Sequence, residues 1–253
     1  MKKNIILLLL SFIIIGALIY FTKREDNIFS VNIVNFNESN YNSHFFQNKI
    51  KFIISNFLPE NTILFYSLND DPSYKLKDGM DKFFFDKFKN IGFFLKNRYF
   101  SDTKLINNNS TGQLNFMVKS EIIEMQNIKF FIIKIFEVNE SNNQINNLNI
   151  SDSPVRLIQN KINQYEKKYD YIIISGKIPI ETVGKICMGV SKINLFIWIN
   201  SDYELHKEKK VWNEVPVINP GIDNEYIGIT KINFIKSNRL FHSMNTELAS
   251  IKQ

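Results

Sequence analysis

Two short apolar runs flank an amphipathic segment in the second half of the chain. The runs cover Tyr171–Ser175 and Ile193–Ile199, and Ile180–Val190 between them has apolar residues at near-helical spacing. Short apolar runs without alternation are typical of strands covered on both faces, so this stretch predicts a strand, a helix and a second strand. Ligands of open α/β sheets collect at the loops that follow the strands. We therefore expect any functional site near residues 175–177 and 200–202.

The pattern along the rest of the chain predicts strands that alternate with helices, then a hairpin and late strands. Runs typical of strands lie at Val31–Phe36, Thr62–Ser67, Ile91–Leu95, Val215–Ile218 and Tyr226–Ile235. Helical spacing marks Phe45–Phe57, Met80–Phe88 and Val155–Lys168, and a hairpin is predicted from Leu114–Met125 and Ile128–Val138. This order is typical of an α/β domain with a mixed sheet or two packed sheets. Residues 237–253 show no such pattern and are predicted to be a tail.

A hydrophobic segment at the start of the chain predicts a membrane anchor over residues 1–26. Two lysines precede the apolar run Ile5–Phe21, and a Lys-Arg-Glu-Asp sequence at 23–26 follows it. The run is short for a spanning helix but long for a signal-peptide core, and no clear cleavage site follows. We expect an uncleaved transmembrane helix with its N-terminus inside, and a removed signal peptide is the alternative. Residues 27–236 would then form one extracytoplasmic domain, on the periplasmic side of the inner membrane in a bacterium.

Charge and cysteine content narrow the function classes. The net charge is +6 over 253 residues, but the basic residues are spread along the chain without a concentrated patch. No nucleic-acid partner is therefore expected. The single cysteine, Cys187, lies in the predicted helix, which excludes an intramolecular disulfide. Because no histidine adjoins it in sequence, we expect a buried, inert thiol.

Polar residues follow the predicted strands at recurring positions. They are Glu38 and Asn40, Asp70, Asn97 and Arg98, Gly176, and finally Asn200 and Asp202. In this order they resemble the strand-end motifs of the calcineurin-like metallophosphoesterase superfamily, in particular the 5′-nucleotidase-type catalytic domain. That family has N-D-x-H, D-x-G-D, G-N-H-E, a single His and G-H-x-H at the matching places, and 217–221 is similar to its closing turn. The resemblance covers about Val31 to Phe234 and implies mixed β-sheets packed as a sandwich flanked by helices.

The chain departs from the family at every histidine. Its three histidines, His44, His206 and His242, all lie off the motif positions, and Arg98 stands where the family has its leaving-group histidine. A guanidinium does not give up its proton, and a two-metal site needs imidazole ligands that are missing here. The resemblance with these departures predicts no catalytic residue and no cofactor. It favours a non-catalytic binding or scaffold protein with a protein partner at the membrane surface.

Two alternatives stay open. The carboxylates and amides at the motif positions form an all-oxygen donor set, which suits Ca²⁺ or Mg²⁺, so an active metal-dependent phosphoesterase is the first. The second is an anchored envelope structural protein whose likeness to the family is accidental.

Overall fold

A computed structural model describes most of the chain from Ile28 onward. The described residues are 13–14, 28–38, 44–68, 87–94, 115–138, 150–151, 153–199, 208–221 and 225–251. The strands are β1 (Ile28–Glu38), β2 (Thr62–Leu68), β3 (Lys89–Phe94), β4 (Asn115–Met125), β5 (Ile128–Val138), β6 (Ile150–Ser151), β7 (Tyr171–Lys177), β8 (Leu195–Ile199), β9 (Glu208–Trp212), β10 (Val215–Asn219), β11 (Tyr226–Ile235) and β12 (Phe241–Ser250). The helices are α1 (His44–Asn56), α2 (Pro154–Gln164) and α3 (Ile180–Gly189), and a 3₁₀ turn covers Pro59–Asn61.

The described strands form two mixed sheets. One has the order β12-β11-β1-β2-β3, with β1, β2 and β3 parallel and β11 and β12 antiparallel to their neighbours. The other has the order β6-β4-β5-β7-β8-β10-β9, in which β5, β7, β8 and β10 are parallel. Parallel strands need crossover connections, and α1, α2 and α3 supply those from β1 to β2, from β5 to β7 and from β7 to β8, outside the two sheets.

Three layers of apolar contacts hold the domain together. Alternate residues of both sheets, among them Ile33, Phe65, Ile173 and Ile197, form a core between the sheets. A second core lies between the seven-stranded sheet and α2 and α3, and a third lies between the five-stranded sheet and α1. This confirms the predicted α/β class with two packed sheets flanked by helices.

Several predicted boundaries are corrected by the structure. The sequence predicts a loop at Asn37 and Glu38, but both belong to the end of β1, and Gly176 and Lys177 likewise end β7. The segment 237–253 is predicted to be a tail, yet β12 pairs with β11 along its length. Met244, Thr246 and Leu248 of β12 face the core. The alternation of apolar and polar residues in this sequence is weak, because β12 is an edge strand and most of its other side chains are exposed. The predicted helix Met80–Phe88 lies outside the described residues apart from its last two positions.

The N-terminal anchor stays a prediction. Within the described part of the chain, no helix has the length and apolar character needed to cross a bilayer. The apolar run Ile5–Phe21 lies outside that part, except for the helical residues Ile13 and Ile14.

Candidate functional site

The carboxyl end of β1 turns polar while remaining buried. Asn35, Asn37 and Glu38 are at most 2% exposed, and they follow the apolar residues Ile33 and Val34 in the strand. Successive side chains of a strand point to opposite faces. Asn35 and Asn37 accordingly point toward the second sheet, whereas Glu38 points toward α1. The end of this strand therefore supplies polar groups to both faces of its sheet.

A fully buried ion pair joins α1 to the end of β1. The ammonium Nζ of Lys49 lies 2.5 Å from Oε1 of Glu38, and both side chains are 0% exposed. Lys49 is placed there by helical spacing, because Phe46, Ile50 and Ile53 on the same face of α1 are buried in the outer core. A charge without water costs several kcal/mol, and only a close opposite charge offsets much of this. The ammonium therefore neutralises the carboxylate where α1 meets the sheet.

A hydrogen bond between two amides links the ends of the two sheets. Nδ2 of Asn37 donates to Oδ1 of Asn219 over 3.3 Å, and the backbone N–H of Gly221 donates to the same oxygen over 2.9 Å. Gly221 has a φ of 81°, which glycine adopts without strain and which lets the chain turn after β10. The carboxyl ends of β1 and β10 thus meet at one edge of the sandwich.

The two sheets come close together next to this link. Gly228 of β11 pairs with Asn35, and a methyl group at Gly228 would overlap Oδ1 of Asn35 and lie 2.8 Å from Cδ1 of Ile218. Only glycine leaves room for both side chains, which come from opposite sheets. The close approach explains why the polar groups at this edge are shielded from solvent.

Four buried polar atoms at this edge have no hydrogen-bond partner in the described structure. They are Nδ2 of Asn35, Oγ of Ser67, Oγ of Ser175 and Nδ2 of Asn219. All four residues lie in the last three positions of a strand or, for Asn35, within four residues of its end. We refer to Asn35, Asn37, Glu38, Lys49, Ser67, Ser175 and Asn219 together as the polar edge. Buried polar groups are normally paired, so these atoms represent unused hydrogen-bonding capacity.

Only two of the sequence-predicted site positions lie in the described structure. Glu38 belongs to the polar edge, with Lys49 as its partner. Gly176 has no side chain and therefore contributes no polar group to that edge. A methyl group at this position would overlap Cγ2 of Ile135 and lie 3.6 Å from Ile178, so the position faces the helix-covered side of the sheet. The neighbouring Ser175 carries the polar atom instead. The remaining positions, namely Asn40, Asp70, Asn97, Arg98, Asn200 and Asp202, lie outside the described residues.

The donors of the polar edge do not fit a pair of divalent cations. Glu38 is its single carboxylate, and an ammonium already contacts that group, while the other donors are neutral amides and hydroxyls. Among the described residues, no three His, Cys, Asp or Glu side chains cluster in a way that could hold a metal. His44 and His242 are both exposed, at the start of α1 and near the start of β12. The described part of the edge therefore suits neutral hydrogen bonding better than metal binding.

Sequence reasoning missed Lys49. The apolar stripe predicted for α1 does not include it, although residues 46, 49, 50 and 53 follow the i, i+3, i+4, i+7 spacing of one helix face. A lysine inside such a stripe must bury its ammonium or reach a carboxylate. That signal could have pointed to the nearby Glu38.

Other features of the described part lie away from this edge. One cavity of about 440 Å³ lies beside the exposed side of α1, and another of about 490 Å³ lies beside Tyr171, Phe241 and Met244 at the opposite end of the sandwich. Cys187 is buried as predicted, and burial raises the pKa of its thiol to about 12. A thiol with such a pKa is not a nucleophile at neutral pH.

Comparison with known proteins identifies the fold. No protein-family model matches the sequence, and no curated protein matches it. Among solved structures, the calcineurin-like phosphoesterase YfkN from Bacillus subtilis matches with a TM-score of 0.50 and 12% identity, covering 88% of this chain and 91% of that chain. NAD nucleotidase (NadN) from Haemophilus influenzae matches with a TM-score of 0.49 and 11% identity, over 88% of this chain and 56% of that one. A 5′-nucleotidase precursor from Thermus thermophilus matches with a TM-score of 0.48 and 8% identity, over 88% and 54%.

The chain has the fold of the calcineurin-like phosphoesterases, so the resemblance inferred from its strand ends is confirmed at the level of fold. It spans about half the length of the two nucleotidases. A fold can host several chemistries, so the function must be argued from the polar edge itself.

Proposed function

We propose that this chain is a membrane-anchored, extracytoplasmic domain that keeps the phosphoesterase fold for binding or scaffolding and does not hydrolyse phosphoesters. The observation that carries this proposal is the buried Lys49–Glu38 ion pair. Glu38 stands where the resemblance places the first metal-binding carboxylate of the family. In this chain a lysine ammonium neutralises it.

Charge and solvation both favour the ammonium over a metal ion at this carboxylate. A divalent cation at Glu38 would either displace Lys49 or lie beside its ammonium in a region without water, where like charges repel strongly. Displacing Lys49 would leave a buried ammonium without its carboxylate partner, which costs about 3–5 kcal/mol. The family's imidazole ligands, which would offset such a cost, are absent from the motif positions.

The buried hydrogen-bonding groups of the polar edge carry no acid–base chemistry. The amide N–H groups of Asn35 and Asn219 can donate a hydrogen bond and the hydroxyls of Ser67 and Ser175 can donate or accept one, and ordered water can satisfy them. None of these side chains can act as a general base at neutral pH, since none titrates there. These residues of the edge therefore support a role other than phosphoester hydrolysis. A protein partner at the membrane surface is the partner we propose.

Metal content and turnover of the full chain test this proposal. The protein, purified in mild detergent and stripped with a chelator, is supplied with Mn²⁺, Mg²⁺, Ca²⁺ and Zn²⁺ in turn. Bound metal is measured by mass spectrometry, and hydrolysis is measured with AMP and with bis(p-nitrophenyl) phosphate. We expect no turnover above the protein-free rate, while an active calcineurin-like phosphoesterase assayed in parallel turns both substrates over.

Metal-dependent turnover that Asp70→Ala abolishes would overturn the proposal and favour the hydrolase alternative, with oxygen ligands holding the ion. Bound metal without turnover would make the ion part of a binding site. Substitution of Lys49 by Gln separates these cases further, because freeing Glu38 from its ammonium should raise metal affinity if the carboxylate lies within reach of the ion.

A further inference from the structure

The hairpin between β11 and β12 exposes large apolar side chains. Leu240 is 60% exposed and Phe241 is 52% exposed, both at the turn that joins the two strands. We call residues 235–242 the hairpin tip. Most exposed positions carry polar side chains because water solvates these, so two adjacent exposed apolar residues at a turn suggest a contact surface.

The backbone of the hairpin tip holds these side chains outward in a defined turn. The N–H of Ile235 donates to the carbonyl of Leu240 over 2.9 Å, and the N–H of Arg239 donates to the carbonyl of Ile235 over 2.7 Å. The N–H of Leu240 also donates to Oδ1 of Asn238 over 3.1 Å. An ordered turn loses little conformational entropy when it docks, so this one is prepared for contact.

The hairpin tip contains basic residues and no acidic residue. Its sequence, Ile-Lys-Ser-Asn-Arg-Leu-Phe-His, has Lys236 and Arg239 and no Asp or Glu. Both basic residues are exposed. Apolar and basic side chains together at one turn suit a surface that combines hydrocarbon with negative charge, and an anionic lipid bilayer is such a surface.

The position of the hairpin tip relative to the predicted anchor favours a membrane as the occupant. Ile235 pairs with Ile28, the first residue of β1, so the tip lies beside the point where the chain enters the domain. Seven residue steps separate Ile28 from Phe21, the end of the apolar run, and seven extended residues reach at most about 25 Å. Leu58, 59% exposed just before β2, lies at the same end of the sheet.

We propose that the hairpin tip docks on the surface of an anionic membrane, with Leu240 and Phe241 at the boundary between headgroups and acyl chains and with Lys236 and Arg239 against lipid phosphates. This inference rests on the anchor of the proposed function. The eleven residues of β1 run away from that surface over roughly 35 Å. The polar edge therefore lies at the end of the sandwich that faces away from the membrane.

Site-directed fluorescence on the full chain tests this docking. A single cysteine is introduced by Leu240→Cys and labelled with an environment-sensitive fluorophore, while the buried Cys187 stays unlabelled at neutral pH. His44→Cys, at an exposed position at the start of α1, which follows the carboxyl end of β1 at the opposite end of the sandwich, is the matched control. The protein is reconstituted into phosphatidylcholine vesicles with or without phosphatidylglycerol, and flotation and quenching by aqueous and lipid-borne quenchers are measured.

We expect the label at position 240 to be shielded from the aqueous quencher and quenched by the lipid-borne one in anionic vesicles, whereas the label at position 44 stays in water. The double substitution Lys236→Gln/Arg239→Gln should lower the docked-to-undocked ratio by about fivefold per charge removed. A label at 240 that is as accessible to the aqueous quencher as the label at position 44 would overturn the proposal.

Flotation separates this result from failure of the anchor. A chain that floats with neutral vesicles while label 240 remains in water keeps the anchor and loses the docking surface. A chain that floats only with anionic vesicles, dependent on Lys236 and Arg239, keeps the docking surface and loses the anchor. Protection of label 240 without lipid, together with a doubled mass in light scattering, would assign the tip to a second copy of the chain and overturn the membrane contact.

Discussion

The two ends of the sandwich carry opposite kinds of surface. At the carboxyl ends of β1 and β10, polar and charged groups are buried, and the one carboxylate of the polar edge contacts a buried ammonium. At the amino end, Leu240 and Phe241 are exposed although they are apolar. Each end reverses the usual rule that polar groups face water and apolar groups avoid it. Such reversals require a specific explanation, whereas the core between the two ends follows the rule.

The contrast separates the core residues, which determine the fold, from the residues at the two ends of the sandwich, which can vary without changing it. The apolar layers between the sheets and under the helices hold the architecture at 12% identity to YfkN. They depend on the size and apolar character of the side chains and not on the identity of the strand-end residues. The residues at the strand ends can therefore change without altering the fold.

The strongest test of the polar edge removes the ammonium of Lys49. Lys49→Met leaves the buried carboxylate of Glu38 without its cation, and we expect unfolding free energy to fall by about 3–5 kcal/mol. The double variant Glu38→Gln/Lys49→Met should recover most of this loss, because no buried charge remains. Chemical denaturation followed by circular dichroism measures both values.

The half-exposed pair of Lys134 and Glu121, 2.9 Å apart, is the matched control. Lys134→Met should cost no more than about 1 kcal/mol, since solvent screens that pair. If Lys49→Met is equally mild, the carboxylate at the polar edge is reached by water and the contrast between the two ends disappears.

A smaller effect is expected where the sheets come closest. Gly228→Ala places a methyl group against Oδ1 of Asn35 and Cδ1 of Ile218, and overpacking of this kind costs about 1–3 kcal/mol. The second substitution Asn35→Ala should restore part of the loss by making room.

Gly184→Ala in α3 is the matched glycine control. A methyl group there would meet Trp212 at 3.5 Å, an ordinary contact, and alanine should stabilise the helix by about 0.5–1 kcal/mol. The two variants are compared by thermal and chemical unfolding. Equal stabilities of both would mean that the sheets do not approach closely at the polar edge.

The central elements could be predicted because their own residues determine them. The apolar runs of β2, β7 and β11 and the stripe of α1 bury their side chains whatever lies further along the chain. Periodicity therefore found these elements to within a few residues.

The ends of the strands could not be predicted in the same way. Asn37 and Glu38 have the composition of a loop, but they pair with β2 in the sheet, and their buried side chains find partners in Asn219 and Lys49. Asn219 is distant in sequence, and Lys49 lies within the apolar stripe of α1. The sequence names Glu38 at the carboxyl end of β1, but its ammonium partner and the buried state of the hydroxyl at Ser175 depend on tertiary contacts that local patterns do not contain.

The amino end offers the third prediction, which concerns pH. The hydroxyl of Tyr171 donates to Sδ of Met244 over 3.0 Å, and burial raises the pKa of Tyr171 above its ordinary value of 10. The unfolded chain then loses this proton near pH 10 while the folded chain keeps it. Stability from this group is thus complete below pH 10 and falls above it, by about 1.4 kcal/mol per pH unit, until the folded-state pKa is reached.

Comparison of unfolding free energies at pH 9 and pH 11 for the native chain and for Tyr171→Phe isolates this contribution, because all other titrating groups are shared. The loss between the two pH values should be about 1.4 kcal/mol smaller in Tyr171→Phe. Identical losses would mean that water reaches the hydroxyl through the cavity beside Phe241. In that case the cavity between Tyr171 and Phe241 would contain water. Docking of Phe241 on lipid would then have to displace that water.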